Sequence, residues 1–296
     1  MMLKLFKHKY GALKLSNVFY PRHMLEYWIS EDLGVEDLTT TALNLKGMGE
    51  ATIFAREPGI VACTEEAAEI YRILGAREIE SRSTGEHVRE GSIILRVKGD
   101  LRSLHAAWRL AQQVIAIFSG MATKSKMLVE KAHGVNPRVV LVSTRKAYPG
   151  LRILALKAVR AGGIVPHRSG LSDSILIFRN HIRCLGGFEK LVKIIPELKR
   201  RYPFRKIGVE VEDLEQAIAL TKAGVDLIQF DKLPPKELSE AVTKLKNVRN
   251  ELVVAAAGGI DEHNIEDYAR TGVDLIVTSA PYYAHPLDIG TEISPS

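Results

Sequence analysis

Cysteine is nearly absent: Cys63 and Cys184 are the only two in 296 residues. Neither sits in a C-x-x-C pair, which excludes a disulfide framework and a multi-cysteine metal site and leaves two small buried hydrophobes. No apolar run reaches the ~18 residues needed to cross a bilayer, so no membrane partner is expected. Residues 1–15 are basic and partly apolar, but Lys and His interrupt them too often for a signal peptide, and a cytoplasmic location is expected. Internal repeats and low-complexity tracts are missing too. The net charge of +6 is mild, and its Lys and Arg residues form no dense tract and no Arg/aromatic interleaving, which argues against nucleic acid. A small anionic substrate explains the charge more economically, because the basic residues fall at strand ends.

The chain is long enough for one large domain or two unequal ones. Its first part mixes element types. Residues 24–32 show a helical stripe through Leu25, Trp28 and Ile29, and 37–41 form a polar, cap-rich loop. Strands are expected over 51–55, 59–63, 79–83 and 92–98, with a helix over 64–74 that Gly75 closes. Two helices, 104–117 and 121–132, are expected on either side of Ser119-Gly120. From Arg138 to about Thr278, short Val/Ile-rich runs alternate with helical stretches, the pattern of parallel strands in βαβ units.

Reactive residues repeatedly follow those runs. Arg145 and Lys146 follow 139–142, and His167 and Arg168 follow 162–165. Glu210 lies in 207–211, Asp231 and Lys232 follow 225–230, and Gly258 and Gly259 follow 252–256. In a β/α barrel the strand C-termini converge on one mouth, so these groups would line one pocket suited to a polyanion with a divalent metal. Arg can grip carboxylate or phosphate with two parallel hydrogen bonds, while Lys supplies a mobile point charge. Lys146 is alternatively a Schiff-base lysine of a lyase, or with Arg145 a surface cation on a solvated loop. His167, its proton affinity lowered by Arg168, would be neutral and able to donate to a substrate oxygen; a structural histidine is the plainer alternative. Glu210 and Asp231 can hold Mg²⁺, stabilise a developing positive sugar carbon, or neutralise nearby cations; Glu212 is expected to point the other way. Gly258-Gly259 before a helix, and Ser279 one unit later, suit phosphate binding by backbone N–H groups at a helix start.

At these residues the sequence resembles the quinolinate phosphoribosyltransferases, also called carboxylating nicotinate-nucleotide pyrophosphorylases. The resemblance rests on Thr144-Arg145-Lys146 with Pro149-Gly150, His167-Arg168 with Gly170-Leu171, Asn180-His181, Val209-Glu210-Val211-Glu212 and Ala257-Gly258-Gly259-Ile260. It implies an α/β fold: an N-terminal α/β sandwich domain (1–112, with the tail 284–296 packing on it) joined to an open, incomplete β/α barrel (113–283). It also implies phosphoribosyl pyrophosphate as co-substrate, Mg²⁺ as cofactor, and a homodimer or assembly of dimers in which Arg109 reaches the neighbouring subunit's site. By the same resemblance, Arg109, Arg145, His167 and Arg168 would hold the acid, and Lys146 the acid or the donor. Glu210 and Asp231 would face ribose and metal, and Gly258 with Ser279 the 5′-phosphate.

The chain departs from that pattern at Phe178, where the family has a second active-site lysine, at Lys232 in an Asp-Asn pair, and at Ala257, Ser279 and Tyr283. These substitutions resemble the ModD branch, pyrophosphorylase-like proteins associated with molybdenum transport. The expected activity is phosphoribosyl transfer to a quinolinate-like aromatic acid with release of pyrophosphate. The alternative is a ModD-like protein with a different acceptor or a non-catalytic anion-binding role.

Overall fold

The computed structural model describes residues 20–296; the stretch 1–15, read above as lacking a signal peptide, lies outside them. In chain order the first elements are α1 (Arg22–Leu33), α2 (Leu38–Ala42), β1 (Met48–Ala55), β2 (Gly59–Ile60), α3 (Thr64–Ile73), β3 (Glu78–Ser81), β4 (His87–Val88) and β5 (Ile93–Asp100). Then come α4 (Leu101–Val135), β6 (Val140–Ser143), α5 (Arg152–Ala161), β7 (Val165–Pro166), β8 (Ile175–Ile177), α6 (Arg179–Leu185) and α7 (Phe188–Arg201). The chain closes with β9 (Ile207–Val211), α8 (Leu214–Ala223), β10 (Leu227–Asp231), α9 (Pro235–Val248), β11 (Val253–Ala257), α10 (Ile265–Arg270), β12 (Leu275–Thr278) and β13 (Ile289–Pro295).

Two compact units result: residues 20–126 with Tyr148–Gly162 and Pro281–Ser296, and Met127–Ala147 with Gly163–Ala280. This division runs between Lys126 and Met127 within α4, whereas the expected boundary fell at 112/113, and it assigns α5 to the first unit. The first unit holds an antiparallel sheet ordered β13-β1-β5-β3, in which the C-terminal strand pairs with β1 from Gly49 opposite Pro295 to Ala55 opposite Ile289. Alternating burial along β1 puts Ala51, Ile53 and Ala55 in the core.

Two expectations for this unit change. The polar stretch after Asp37 is a helical turn, because the Asp37 carboxylate accepts from the Thr40 N–H at 3.1 Å and caps it. The two helices expected around Ser119-Gly120 are one 35-residue helix. Glycine costs helix propensity (~1 kcal/mol) but does not break this helix, because the pair serves packing: Ser119 Oγ accepts from Ala62 N at 2.9 Å, and a Cβ on Gly120 would collide with the His285 carbonyl.

The first unit also buries an ionic cluster that hydrophobic periodicity concealed. Lys157 of α5, its side chain fully shielded, donates to Glu65 at 2.9 Å and to both oxygens of Glu66 at 2.8 and 2.7 Å. Burial works against the ammonium charge, but Glu66 and Glu65 outweigh it and hold Lys157 above the usual lysine range. Burial pushes Glu66 up, whereas for Glu65 the hydrogen bonds from Thr84 overcome the same penalty.

The second unit is built on seven strands in the order β7-β6-β12-β11-β10-β9-β8, all neighbours parallel. The expected open β/α barrel is therefore present as a half-barrel sheet with β7 and β8 at its two edges. Its strands are mostly apolar, with Val142, Ala255, Ala257 and Val277 forming a core cluster. Among the described residues no helix is long and apolar enough to cross a membrane.

Candidate active site

Parallel pairing brings seven strand C-termini to one edge of the sheet. Ser143 pairs with both Thr278 and Pro166, Asp231 with Ala257, Phe230 with Val211, and Ile177 with Val209. Every expected site residue except Arg109 lies at or just past these ends. Arg109 belongs to the first unit, where its exposed guanidinium lies 4.0 Å from the centre of the Trp108 ring.

The cations come from the β6–β7 side. Backbone pairing continues past β6, with Thr144 N donating to Thr278 O at 3.1 Å, and Thr144 Oγ1 accepts from Lys146 N at 3.2 Å to turn the chain. His167 N donates to Ser143 O at 3.0 Å, which aligns the second pair of reactive residues with the first. Arg168 has its proton affinity lowered by burial and then by the charge of Arg145, which follows the paired strand β6. Arg145 Nε and His167 Nε2 are buried without a hydrogen-bond partner within the protein. Buried polar nitrogens are rarely left unpaired, so both are positioned to pair with a bound ligand. Burial, more than the Arg168 charge invoked from sequence, holds the His167 imidazole below its usual pKa.

The acids come from β9 and β10. Glu210 accepts a hydrogen bond from Gln229 Nε2 at 2.8 Å across the registered pair Glu210–Gln229. Burial pushes its carboxyl above the usual range; the Gln229 bond opposes this, the charge of Asp231 adds to it, and Lys146 counters it. Glu210, Asp231 and Lys146 thus share one electrostatic environment. Glu212 lies past the strand end, paired with Arg179 at 2.9 Å with both side chains exposed. Gln229 was not singled out from sequence; a buried amide within the apolar run of β10 was its signal.

A raised Glu210 pKa has a definite consequence for stability. The folded protein holds this proton to higher pH than the unfolded chain, so the group favours folding fully at acid pH. That contribution is lost as pH rises through the folded value. Glu210→Gln is therefore expected to raise the melting temperature at about pH 7.5 and to leave it nearly unchanged at about pH 4, where the native carboxyl already carries its proton. Thermal melts at both pH values check this; equal shifts at both would refute it.

The phosphate side differs from expectation in one respect. Gly258 and Gly259 adopt φ of +91° and +69°, and a Cβ on Gly258 would strike Asp231 Oδ1 and Lys232 Cγ. Glycine at 258 therefore permits the close approach of the β10 and β11 ends. The pair does not open a helix, however. Asn264 intervenes, binding Gly259 O and Asp261 N at 2.9 and 3.0 Å, and α10 begins only at Ile265. The loop is tied to the end of β12 by Thr278 Oγ1 donating to Ile260 O at 2.6 Å, and Thr278 Oγ1 accepts from Ala280 N at 3.0 Å, which brings Ser279 beside it. Lys232 holds a left-handed φ of +59°, a costly conformation for lysine, and its N–H donates to Ala257 O at 2.8 Å.

Two carboxylates at adjacent strand ends are a hard-oxygen set. That suits Mg²⁺, which keeps several waters and takes its remaining oxygens from a phosphorylated ligand. Among the described residues the one group of three potential metal-binding side chains within 4.8 Å is elsewhere, at Asp261, Glu262 and His263.

The chain is similar to known proteins over most of its length. Residues 37–119 match the model of the quinolinate phosphoribosyl transferase N-terminal domain, and 121–292 that of the C-terminal domain. The ModD protein of Rhodobacter capsulatus is 41% identical over 82% of this chain and 94% of its own. A protein of Methanothermobacter thermautotrophicus named as a carboxylating nicotinate-nucleotide pyrophosphorylase is 33% identical over 90% of this chain and 96% of its own. Among solved structures, the nicotinate-nucleotide pyrophosphorylase of Francisella tularensis superposes with a TM-score of 0.85 at 28% identity, covering 93% of this chain and 98% of that one.

Proposed function

Because this chain belongs to the quinolinate phosphoribosyltransferase family and is a pentosyltransferase of that type, we propose that it transfers phosphoribose from phosphoribosyl pyrophosphate to a quinolinate-like aromatic acid, releasing pyrophosphate. The observation that carries this reading is the arrangement at the strand ends, where Arg145 and Arg168 follow the paired strands β6 and β7 and Glu210 and Asp231 stand on the paired strands β9 and β10. Such a cluster answers both charges of the reaction: anions in the substrates, and positive character at the sugar carbon from which pyrophosphate departs.

Each group has a role that follows from its surroundings. Arg145 and Arg168 grip the acid's carboxylate, and the neutral His167 donates from its unpartnered Nε2 to an acid oxygen. Lys146 orients the acid or the donor. Glu210 and Asp231 face the anomeric carbon and stabilise its oxocarbenium character, while the Gly258-Gly259 loop and Ser279 receive the 5′-phosphate. Lys232 adds a cation on the donor side. Glu210 and Asp231 would also hold Mg²⁺, which when bound neutralises charge on the departing pyrophosphate. Arg109 would reach the site of a neighbouring subunit in a homodimer or an assembly of dimers.

The test is calorimetric. Phosphoribosyl pyrophosphate should bind measurably with Mg²⁺ and at least tenfold more weakly with the Mg²⁺ chelated, since the carboxylates otherwise repel the donor. Absence of binding in both conditions would remove the reading. The Rhodobacter relative, which bears the ModD name, supports a second one, in which the same pocket serves a different acceptor or binds anions without turnover. Pyrophosphate release in a mixture of donor and candidate acids separates the two.

A further inference from the structure

The charges at the strand ends are unevenly distributed, and the unevenness bears on the acceptor. Arg145, His167 and Arg168 follow β6 and β7, at one edge of the half-barrel sheet. At the other edge, one residue beyond the registered pair of Ile177 with Val209, stand Phe178 and Glu210. The two edges approach each other across the mouth: Arg168 donates to Ser174 O, just before β8, at 3.5 Å, and its guanidinium lies 5.9 Å from the centre of the Phe178 ring.

Phe178 is held in place. Its backbone N–H donates to His181 Nδ1 at 3.0 Å, and the two rings stack with centres 6.0 Å apart at an interplanar angle of 29°. The ring is half-buried. Beside it, Glu210 already has Gln229 as donor and Lys146 as counter-charge. The β8–β9 side therefore offers a flat apolar surface next to an acid that already has a donor.

From this we infer that the acceptor is a planar aromatic or heteroaromatic acid with a single carboxylate, held by Arg145 and Arg168 at one end and lying on Phe178 with its body. The inference rests on the transferase reading proposed above and narrows its substrate from a dicarboxylate to a monoacid. A second carboxylate directed toward Phe178 or Glu210 would lose its water without a partner. The reaction then balances without carbon loss. The ring nitrogen's lone pair forms the bond to C1 of the donor, and the C1–O bond breaks with its electron pair leaving on pyrophosphate. The products are the acid's mononucleotide and pyrophosphate, with no CO₂.

Matched probes test this on the intact protein by isothermal titration: pyridine-3-carboxylate against pyridine-2,3-dicarboxylate, and separately phosphoribosyl pyrophosphate with Mg²⁺. The monoacid is expected to bind ~10–100-fold tighter, the worth of one uncompensated charged contact. Phe178→Lys should shift that ratio toward the diacid by at least ~10-fold, and Phe178→Leu, which keeps an apolar side chain without the ring face, should weaken the monoacid several-fold. Circular dichroism and melting confirm that both variants fold. Tighter binding of the diacid by the native protein, no binding of the monoacid, or an unchanged ratio in Phe178→Lys overturns the inference. Loss of donor binding alone overturns the transferase reading instead, because the acid titrations need no donor.

Discussion

Arg145→Ala is expected to lower turnover with donor and acid by ~10²–10³-fold, the usual loss when one preorganised charged contact to the reacting groups is deleted. Its effect on stability should be of the opposite kind. The buried Arg145 Nε has no hydrogen-bond partner in the protein, and its neighbour is the like-charged Arg168. Removing it breaks no internal hydrogen bond and relieves repulsion, so the melting temperature should hold or rise. Arg145→Lys keeps a positive charge but loses the planar fork, and should recover only part of the rate. Steady-state rates by pyrophosphate release, run beside thermal melts, separate these effects. A near-native rate for Arg145→Ala would show that Arg145 has no part in the chemistry, and a rate loss accompanied by a large drop in melting temperature would show that its role is structural.

The second large effect concerns stability alone. Lys157→Ala strands two carboxylates in a site from which the ammonium is wholly shielded from water. Breaking a buried pair on one side costs ~3–5 kcal/mol, which for a unit of this size lowers the melting temperature by on the order of 10 °C. The double variant Lys157→Met with Glu66→Leu should recover most of that loss, because paired apolar side chains of similar volume replace a buried ion pair at little cost. Denaturation by urea measures both. A loss below ~1 kcal/mol for Lys157→Ala would show that water reaches the cluster in solution and screens it.

Much of the second unit was legible in the chain. A parallel strand buried on both sides must be a short apolar run, and a run of that kind ends where polar residues resume. The Val/Ile-rich segments at β6, β9, β10, β11 and β12 therefore announced both themselves and the reactive residues after them. Other features had no local signature. Ser119-Gly120 reads as a helix break because glycine and serine are weak helix formers, and only the chain packed against it shows why α4 continues. The Gly-Gly run suggested a helix start, but the side chains of Asp261 and Asn264 organise the loop first. The burial of Lys157 has no local signal, because Glu65 and Glu66, which close on it, lie 92 and 91 residues earlier.

By itself, then, the sequence determined which segments alternate as strand and helix and which cations and acids end the strands, since hydrophobic period and turn chemistry act over a few residues. Tertiary structure alone decided the strand order that sets Arg168 across from Phe178, Glu210 beside Gln229 and Lys157 between two glutamates. Those neighbours are chosen by long-range packing and by the need to pair buried charge. Neither leaves a periodic trace along the chain, because the groups that meet are separated by as many as 92 residues.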